Sequence, residues 1–393
     1  MEKEVVVVSG VRTAIGKFGG SLKDLPPTEL GSLVVREVLA RADVTGEQVG
    51  HVVFGNVIAT EPKDFYLARV AALNGGIGQA TPAFNVNRLC GSGLQAIVSA
   101  AQALRLGEAE IAIGAGAESM SRGPYLMSAA RWGGRMGDLQ AVDYMLGILH
   151  DPFHRIHMGV TAENIAARDG ITREMQDALA AESHRRAAAA IAEGRFKEQI
   201  VPVEIKSRKG IVLFDTDEHV RADTTVEQLA KMKPAFKNDG SVTAGNASGL
   251  NDGAAAVVLA SEAAVKSSNL RPMARLVSYA HAGVEPELMG LGPIPATRLA
   301  LQRAGLKASQ LDVIESNEAF AAQACAVTRT LELDPAKVNP NGSGISLGHP
   351  VGATGAVITT KAIYELQRVG GRYALVTMCI GGGQGIAAIF EKA

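Results

Sequence analysis

The 393-residue chain is rich in apolar residues and nearly neutral, with 47% hydrophobic residues and a formal net charge of -1 at pH 7. A chain of this length forms two or three domains, and its apolar content suffices for large buried cores. Lys and Arg are spread along the sequence, so nothing predicts a groove for nucleic acid. The cysteines number three, and this odd count favours reduced thiols over a disulfide framework.

We expect no targeting signal at the start of the chain. Its first residues, MEKEVVVVSG, run from charges straight into a short strand, without the apolar core of a signal peptide. No apolar run reaches the roughly 20 residues that a membrane span needs. We therefore expect a cytoplasmic protein with no membrane partner.

Short apolar runs alternate with helical patterns along the chain. Runs bounded by glycine or polar residues are typical of buried strands, and this alternation predicts an α/β sheet with helical layers. In chain order the predicted elements are a strand at 5–10, a helix at 28–42, a strand at the end of 39–56, a strand at 83–87, a helix at 93–107, a strand at 110–116, a helix at 174–194, strands at 253–260 and 274–279, a helix at 296–305, a strand at the end of 301–318, and strands at 337–341, 373–379 and 385–391.

The two ends of the chain repeat each other. Residues 39–56 align without a gap with residues 301–318, and both read as a helix end, a short turn and a strand. Arg41 matches Arg303 at an offset of 262 positions (303 − 41 = 262), and Gln48 matches Gln310. The flanking strands pair in the same way, as VVVVSG with ARLVSY, AFNVN with KVNPN, and EIAIGAG with YALVTMC. The pattern predicts an internal duplication.

One long insertion distinguishes the halves. The last strand follows almost directly after Cys379, whereas its counterpart, GAAAVVLA, arrives only after residues 117 to about 250. Insertions of this length are usually functional or disordered, and the glycine-rich return and apolar content favour an ordered lid that binds ligand. The predicted domains are an N-terminal half, 1–120, completed by the strand region 250–270, an inserted subdomain, 121–249, and a C-terminal half, 271–393.

Two reactive side chains occupy matching turns of the duplicated halves. Cys90, in RLCGSGLQAI, precedes a helix, where the helix dipole and free backbone N–H groups favour the thiolate. Aligning Gly93 with Gly352 places Cys90 opposite His349. We predict that the two side chains meet across a pseudo-twofold axis as a nucleophile and its base.

Two further turns carry polar groups at strand ends. The stretch MCIGGGQG has the glycines of a phosphate-binding loop, yet Cys379 at its strand end favours chemistry at sulfur instead. In SNEAF, the amide of Asn317 can hold a water or donate to an oxyanion. Open α/β sheets place their sites at such an edge.

Together these motifs resemble those of one enzyme family. CGSG, NEAF, GHP and CIGGG, in this order and spacing, with the duplicated halves and the insertion, resemble the thiolases, especially the biosynthetic-type bacterial β-ketothiolases. The resemblance runs from residue 4 to the C-terminus, and the four motifs together are highly specific although each alone is weak. It implies the thiolase fold, with duplicated βαβαβαββ halves in a layered α-β-α-β-α core and an inserted loop subdomain. It also implies that the glycine loop serves a thioester oxygen and not a phosphate.

The resemblance assigns a role to each motif residue. Cys90 is expected to take up the acyl group after activation by His349, and Cys379 to shuttle the proton at the α-carbon of the second acyl-CoA. Asn317 is expected to hold a water that forms one oxyanion hole with His349. The N–H groups of Cys90 and Gly381 are expected to form the other. Claisen condensation needs one sulfur to carry an acyl group and a separate base to make the carbanion, which explains two thiols.

The resemblance also implies a site for coenzyme A and the acyl chain. Its residues come from the insertion, its return loop and two turns of the C-terminal half, and they are His157, Met158, Arg221, Ser248, Met289 and Phe320. Coenzyme A is expected as a substrate and product, with no permanently bound cofactor.

Plainer structural roles stand beside these predictions. Cys90, Met158 and Met289 could equally be core residues, and Cys379 could be a buried residue at a strand end. His349 could cap a helix, Asn317 could be a turn residue, and Arg221 could be a solvated surface charge. Cys325 lies in an Ala-rich helix and is expected in the core. His150, His154 and His157 have a spacing that suits a metal, but Asp151-Pro152 interrupts a helix there and no carboxylates complete a site, so no metal is expected.

The leading hypothesis is an acyltransferase that converts two acyl-CoA molecules reversibly into 3-ketoacyl-CoA and CoA, with short-chain, biosynthetic substrates. One alternative is a degradative 3-ketoacyl-CoA thiolase of fatty acid β-oxidation. Decarboxylating condensing enzymes of the same superfamily lack the second catalytic cysteine, so Cys379 argues against them. A non-catalytic acyl-CoA or lipid carrier is opposed by the intact NEAF motif. Thiolases pair through the core sheet, so a homodimer or homotetramer is expected, with residues 124–138 as a candidate for a further contact.

Overall fold

The structure, a computed structural model, describes residues 4–207 and 210–393. Helices and strands alternate through both ends of these ranges, as the sequence predicts. The strands are β1 (Val5–Arg12), β2 (Gly16–Lys17), β3 (His51–Gly55), β4 (Ala83–Val86), β5 (Ile111–Ser119), β6 (Tyr125–Leu126), β7 (Val142–Asp143), β8 (Val203–Ser207), β9 (Gly210–Phe214), β10 (Asn251–Ser261), β11 (Ala274–Gly283), β12 (Val313–Ser316), β13 (Tyr373–Ile380) and β14 (Gln384–Lys392). The α-helices are α1 (Pro27–Ala42), α2 (Leu67–Asn74), α3 (Ser92–Leu106), α4 (Tyr144–Ile148), α5 (Met158–Asp169), α6 (Arg173–Ala192), α7 (Val226–Ala230), α8 (Glu262–Ser267), α9 (Pro293–Ala304), α10 (Ala321–Thr330), α11 (Gly344–Leu347) and α12 (Thr354–Val369).

A mixed sheet forms the centre of the molecule. Its strand order is β12-β13-β14-β11-β1-β10-β5-β3-β4, with β2 paired to β10. The two halves join where β1 pairs antiparallel with β11. Outward from this junction the strands of one half mirror those of the other. The predicted duplication extends to the short 3-10 turns Gly46–Gln48 and Ala308–Gln310, which begin 262 residues apart (308 − 46 = 262).

Both faces of the main strands are buried, which produces the layers. On β10, Val257 and Leu259 enter a core shared with the facing helices α3 and α12, whereas Ala256 and Val258 enter a second core with α1 and α2. A third core lies under α9 and α10 on the other half. Because successive side chains of a strand alternate between faces, two half-sheets separate three helical layers. This arrangement confirms the predicted thiolase fold.

One predicted strand is almost absent. The segment KVNPN makes a single parallel bridge, between Val338 and Ile314. Asn339 takes a left-handed conformation with φ 47°, and Pro340 has no N–H to donate. The ladder therefore cannot extend, and the side chain of Asn339 bonds the backbone N–H and carbonyl of Ser316 instead.

The long segment between β5 and β10 is attached to the core by a buried ion pair. The guanidinium of Arg12 lies 2.7 Å and 2.9 Å from the two carboxylate oxygens of Asp217, and Gln199 accepts a third hydrogen bond from it. Both charged side chains are fully buried. Removal of either partner would leave an uncompensated buried charge and lower the free energy of unfolding by about 3–5 kcal/mol.

None of the helices in the described ranges has both the length and the apolar character that a bilayer crossing requires.

Candidate active site

Turns that follow strands of both halves, together with the insertion, enclose a cavity of about 380 Å³. Its walls are mainly apolar and include Leu89, Phe236 and Val351. Most of the predicted site residues contribute to the lining, namely Cys90, His157, Met158, Ser248, Met289, Phe320, His349, Cys379 and Gly381. Asn317 lies directly behind this surface, beside His349.

The turn that carries Cys90 is held by its own polar groups. Leu89 has φ 45°, and Ser92 accepts a hydrogen bond from the backbone of Arg88 at 2.8 Å while donating to the carbonyl of Leu89. Helix α3 then begins at Ser92. The thiol of Cys90 faces its own backbone N–H and that of Gly381. The two donors that the resemblance assigns to an oxyanion hole thus converge at the thiol of Cys90.

The predicted thiolate state of Cys90 is wrong for this structure. Burial raises the pKa of the thiol to about 11, and the negative charge of Glu118 acts in the same direction. The backbone donors of Cys90 and Gly381 lower the pKa but do not offset burial. The backbone donors of the turn before α3 stabilise the thiolate, but the apolar surroundings destabilise it by a larger amount. At neutral pH the side chain is a thiol that needs a base.

His349 has the environment of a neutral base. Burial lowers the pKa of its imidazole to about 4. The backbone N–H of His349 donates to Oδ1 of Asn251 at 2.9 Å, which fixes the start of the turn. Nδ1 of the ring lies 2.7 Å from Oγ1 of Thr354, whose hydroxyl also bonds the carbonyl of Pro350 at 2.9 Å. The other ring nitrogen, Nε2, lies 3.5 Å from Nδ2 of Asn317.

Asn317 is fully buried behind the ring of His349. Its backbone N–H donates to the carbonyl of Thr377, and its carbonyl accepts from Gln323. The side-chain Nδ2 lies 3.5 Å from each ring nitrogen of His349. Among the described residues, no group donates a hydrogen bond to Oδ1 of Asn317. A buried amide with one unsatisfied oxygen is typical of a functional position.

Cys379 is the penultimate residue of strand β13 and lines the same cavity as Cys90. Its thiol is fully buried, and burial raises its pKa, as does the charge of a Cys90 thiolate. Two like charges disfavour each other, so the two thiols do not ionise together. The glycines after Cys379 are required by the turn, since Gly382 and Gly383 have φ 83° and 87°. A Cβ at Gly383 would also lie 2.3 Å from the carbonyl oxygen of Val284.

The outer cavity is built on an aromatic wall. His157 caps helix α5, its Nδ1 accepting from the N–H of Gly159 at 3.0 Å, and its ring stacks on Phe236 with centroids 4.6 Å apart. Phe236 in turn meets Phe320 edge to face. The backbone N–H of Ser248 donates to the carbonyl of Ala319. The return loop of the insertion therefore packs on the NEAF turn.

Arg221, like Asn317, does not line the cavity. Its side chain is exposed, and its backbone N–H donates to Nδ1 of His184.

The three histidines with metal-like spacing have other partners. His150 and His157 meet edge to face, while His154 bonds Asp151. Within the described ranges, no three His, Cys, Asp or Glu side chains converge as metal ligands would.

Cys325 is only partly buried, unlike the core residue that its helix pattern predicts. Burial still raises the pKa of its thiol to about 11. It lines a separate cavity between α6 and α10, away from Cys90.

Sequence reasoning missed three residues that support the site, namely Asn251, Thr354 and Glu118. The first two orient His349, as described above. Glu118, the penultimate residue of strand β5, is fully buried; burial raises the pKa of its carboxyl group, whereas hydrogen bonds from the backbone of Ile58, Val57 and Gly352 lower it. A charged residue at the end of an apolar strand, as in AGAESM, is the one signal that could have revealed it.

Comparison with known proteins gives the family of the chain. The profile described as "Thiolase, N-terminal domain" matches residues 5–263, and that described as "Thiolase, C-terminal domain" matches residues 270–392. The chain therefore belongs to the thiolase family, a family of acyltransferases.

Its relatives are similar along the whole chain. It is 71% identical to "Beta-ketothiolase BktB" of Cupriavidus necator over 393 residues, which is all of both chains. It is 51% identical to "Acetyl-CoA acetyltransferase" of Pseudomonas aeruginosa, over 99% of this chain and 100% of that one. The crystal structure of human mitochondrial 3-ketoacyl-CoA thiolase in complex with CoA superposes with a TM-score of 0.97, at 45% identity over 100% of this chain and 98% of that chain. The Bacillus anthracis acetyl-CoA acetyltransferase structure gives 0.98, at 46% identity over 100% and 99%.

Proposed function

We propose that the protein catalyses the reversible Claisen condensation of two acyl-CoA molecules to 3-ketoacyl-CoA and CoA, through an acyl-Cys90 intermediate. The observation that carries this proposal is the meeting of two thiols and one neutral imidazole, Cys90, Cys379 and His349, in one cavity. A nucleophile, a second acid–base group and a shared proton acceptor are the parts that this two-step reaction needs.

In the first step, Nε2 of His349 takes the proton of Cys90 as the sulfur attacks the thioester carbonyl. Since the resting pair is a thiol and a neutral imidazole, proton transfer accompanies attack. The oxyanion that forms is stabilised by the N–H groups of Cys90 and Gly381, which already face the sulfur. Collapse of this intermediate breaks the bond to CoA sulfur, and the leaving thiolate takes the proton back from His349. The acyl group stays on Cys90 as a thioester.

In the second step, Cys379 gives its proton to Nε2 of His349, and the resulting thiolate removes a proton from the α-carbon of the next acyl-CoA. The enolate oxygen faces Asn317 and His349, where the amide holds a water as the second oxyanion donor. The α-carbon attacks the carbonyl of acyl-Cys90, and the leaving Cys90 thiolate takes the proton from His349, which restores the resting thiol. Acylation favours this step, because a thioester at Cys90 has no charge to oppose ionisation of Cys379.

Coenzyme A is proposed as substrate and product, with no permanently bound cofactor. The apolar and aromatic wall of Met158, Met289, His157 and Phe320 suits the acyl chain and pantetheine arm. Ser248 contributes backbone and hydroxyl groups at the return loop. Arg221, exposed outside the cavity, is proposed to bind the nucleotide end of CoA, where a cation suits phosphate.

The proposed substrates are short-chain acyl-CoA molecules, and the proposed direction is synthesis of 3-ketoacyl-CoA. We propose that the reaction takes place in the cytoplasm and that one use of its product is polyhydroxyalkanoate synthesis. Support comes from the relatives named as beta-ketothiolase and acetyl-CoA acetyltransferases. The second candidate is a degradative enzyme, since the human mitochondrial 3-ketoacyl-CoA thiolase is similar at 45% identity.

Thiolysis of 3-ketoacyl-CoAs of increasing length by added CoA tests this proposal. Turnover confined to acetoacetyl-CoA and the next homologue is expected. Rates that rise with chain length would favour the degradative candidate. Absence of turnover at any length, from folded and reduced protein, would reject the enzyme and favour a carrier.

We further propose that the chain forms a homodimer or homotetramer. Strand β4 ends the sheet, and Phe84 on it, with the adjacent Phe65 and Tyr66, is exposed. An open edge with exposed aromatic side chains suits pairing with a second copy. A second apolar surface includes Trp132, 87% exposed, and Met136, 98% exposed. Light scattering on the wild type and on the double variant Trp132→Ser, Met136→Ser tests the role of this second surface. If the wild type is a tetramer, the double variant is expected to be a dimer.

The division into two halves and an inserted subdomain is proposed with the boundaries given above. It is supported by β10, which pairs with both β1 and β5 although the insertion separates it from them in sequence.

A further inference from the structure

Glu118 is a fully buried carboxylate that receives four hydrogen bonds close to Cys90. Oε1 accepts from the side-chain Nδ2 of Asn56 at 2.9 Å and from the N–H of Ile58 at 3.0 Å. Oε2 accepts from the N–H of Val57 at 3.0 Å and from that of Gly352 at 2.8 Å. Within the described ranges, no Lys or Arg pairs with Glu118, so these donors alone compensate its burial.

The donors come from two turns that belong to different halves of the chain. Asn56, Val57 and Ile58 follow strand β3 in the N-terminal half, whereas Gly352 lies three residues after His349 in the C-terminal half. One carboxylate therefore joins the halves next to the proposed base. The approach is close, since a Cβ at position 352 would lie 2.4 Å from Oε2 of Glu118.

The two turns also form part of the acyl cavity. Val57 and Val351 line it together with Leu89 and Cys90. The same valines pack in one small apolar cluster with Met120. Because Glu118 bonds the backbone at Val57 and directly after Val351, it fixes the distance between these two wall residues.

We propose that Glu118 is a positioning and specificity-determining residue, which holds Val57 and Val351 against the acyl group on Cys90 and so limits the chain length that the cavity accepts. This inference rests on the proposed function, because it assumes that Cys90 carries the acyl group. Glu118 itself touches neither substrate nor the reacting atoms, and it acts through the two turns.

The substitution Glu118→Gln separates this role from simple burial. The amide keeps the size of the side chain, but in either orientation its NH2 group faces two hydrogen-bond donors, so two of the four hydrogen bonds are lost. Glu118→Asp keeps the acceptor character on a side chain that is one methylene shorter, and it is expected to restore part of the function.

Steady-state thiolysis of acetoacetyl-CoA and of the six-carbon homologue, 3-ketohexanoyl-CoA, gives the readout. For Glu118→Gln we expect kcat with acetoacetyl-CoA to fall about 10- to 100-fold, because small displacements of reacting groups are costly. KM for CoA should change less than about twofold, since the residues proposed to bind CoA make no contact with Glu118. The ratio of kcat/KM for the longer substrate to that for the shorter should rise about fivefold or more, because the loosened wall admits the longer chain.

Glu163 provides a matched control. This buried carboxylate accepts hydrogen bonds from the backbone of Ser241 and Val242 and from the hydroxyl of Ser241, and none of these donors lines the acyl cavity. Glu163→Gln should lower the thermal midpoint as Glu118→Gln does, with the substrate ratio unchanged.

Three outcomes are distinguishable. A substrate ratio that changes in Glu118→Gln, partly reverts in Glu118→Asp and stays constant in Glu163→Gln supports the inference. An unchanged ratio in Glu118→Gln overturns it, whatever the loss of stability. Failure of the wild type to form acyl-Cys90 would reject the proposed function itself, independently of these variants.

Discussion

Oγ1 of Thr354 lies 2.7 Å from Nδ1 of His349 and 2.9 Å from the carbonyl oxygen of Pro350. The hydroxyl has one proton, and a carbonyl can only accept, so this proton is donated to Pro350. Thr354 must then accept a hydrogen bond from Nδ1–H of His349. The ring is thereby held as the tautomer whose Nε2 is unprotonated and able to act as a base.

Replacement of Thr354 by Val should weaken this control of the tautomer. We expect kcat for thiolysis to fall about tenfold, equivalent to roughly 1.4 kcal/mol, with KM for CoA unchanged. Thr359→Val is the matched control, because Thr359 is buried in the same helix and its hydroxyl also bonds a carbonyl four residues earlier, away from the site. Equal losses in the two variants would contradict the tautomer assignment.

The acid limb of the pH profile should reflect the buried imidazole. Burial lowers the pKa of His349 to about 4, so the base stays neutral as pH falls through the ordinary histidine range. Protonation removes the base only near the lowered pKa. Acylation of Cys90 should therefore persist down to about pH 5. Rapid-quench experiments measure the acylation rate, and circular dichroism at each pH checks that the protein is folded. A loss of rate with a midpoint near 6.5 in folded protein would contradict the neutral resting state.

Substitution of Cys90 and substitution of Cys379 should block different steps of the reaction. Cys379→Ala is expected to retain acylation of Cys90 but to lose condensation by about 10³-fold or more, because no other group removes the α-proton. Cys90→Ser should lose acylation as well. Cys325→Ser, in the separate cavity, should leave both steps intact. Normal condensation by Cys379→Ala would show that another base acts.

Asn317 should matter most when the enolate forms. Asn317→Ala is expected to lower kcat for condensation about 100-fold, the usual loss of one oxyanion donor, with a smaller effect on acylation. Asn341→Ala serves as the comparison, since Asn341 is equally buried but bonds Glu365 outside the cavity. A larger effect on acylation than on condensation would assign Asn317 to the other oxyanion hole.

The sequence predicted the frame of the site because that frame is local and repeated. The offset of 262 residues related the turns of both halves, and the structure brings Cys90 and His349 to one cavity as this register requires. Cys379 and Gly381 lie beside them, since a strand followed by glycines fixes where the turn must be. These features depend on short segments with strong patterns.

The remaining features depend on contacts that no local pattern encodes. The ionisation of Cys90 was predicted incorrectly because burial by distant segments outweighs the adjacent helix end. The role of Glu118 could not be read from sequence, because its donors lie about 60 and about 230 positions away. The strand predicted at KVNPN is reduced to one bridge by the left-handed Asn339 and by Pro340.

The most direct test of the central claim is peptide mass spectrometry of the protein after brief exposure to acetyl-CoA and acid quench. The account predicts one added acetyl group on the peptide that contains Cys90, accumulating in Cys379→Ala and absent from Cys90→Ser. No adduct at Cys90, in folded protein whose thiol is shown to be free, would contradict acyl transfer through this residue.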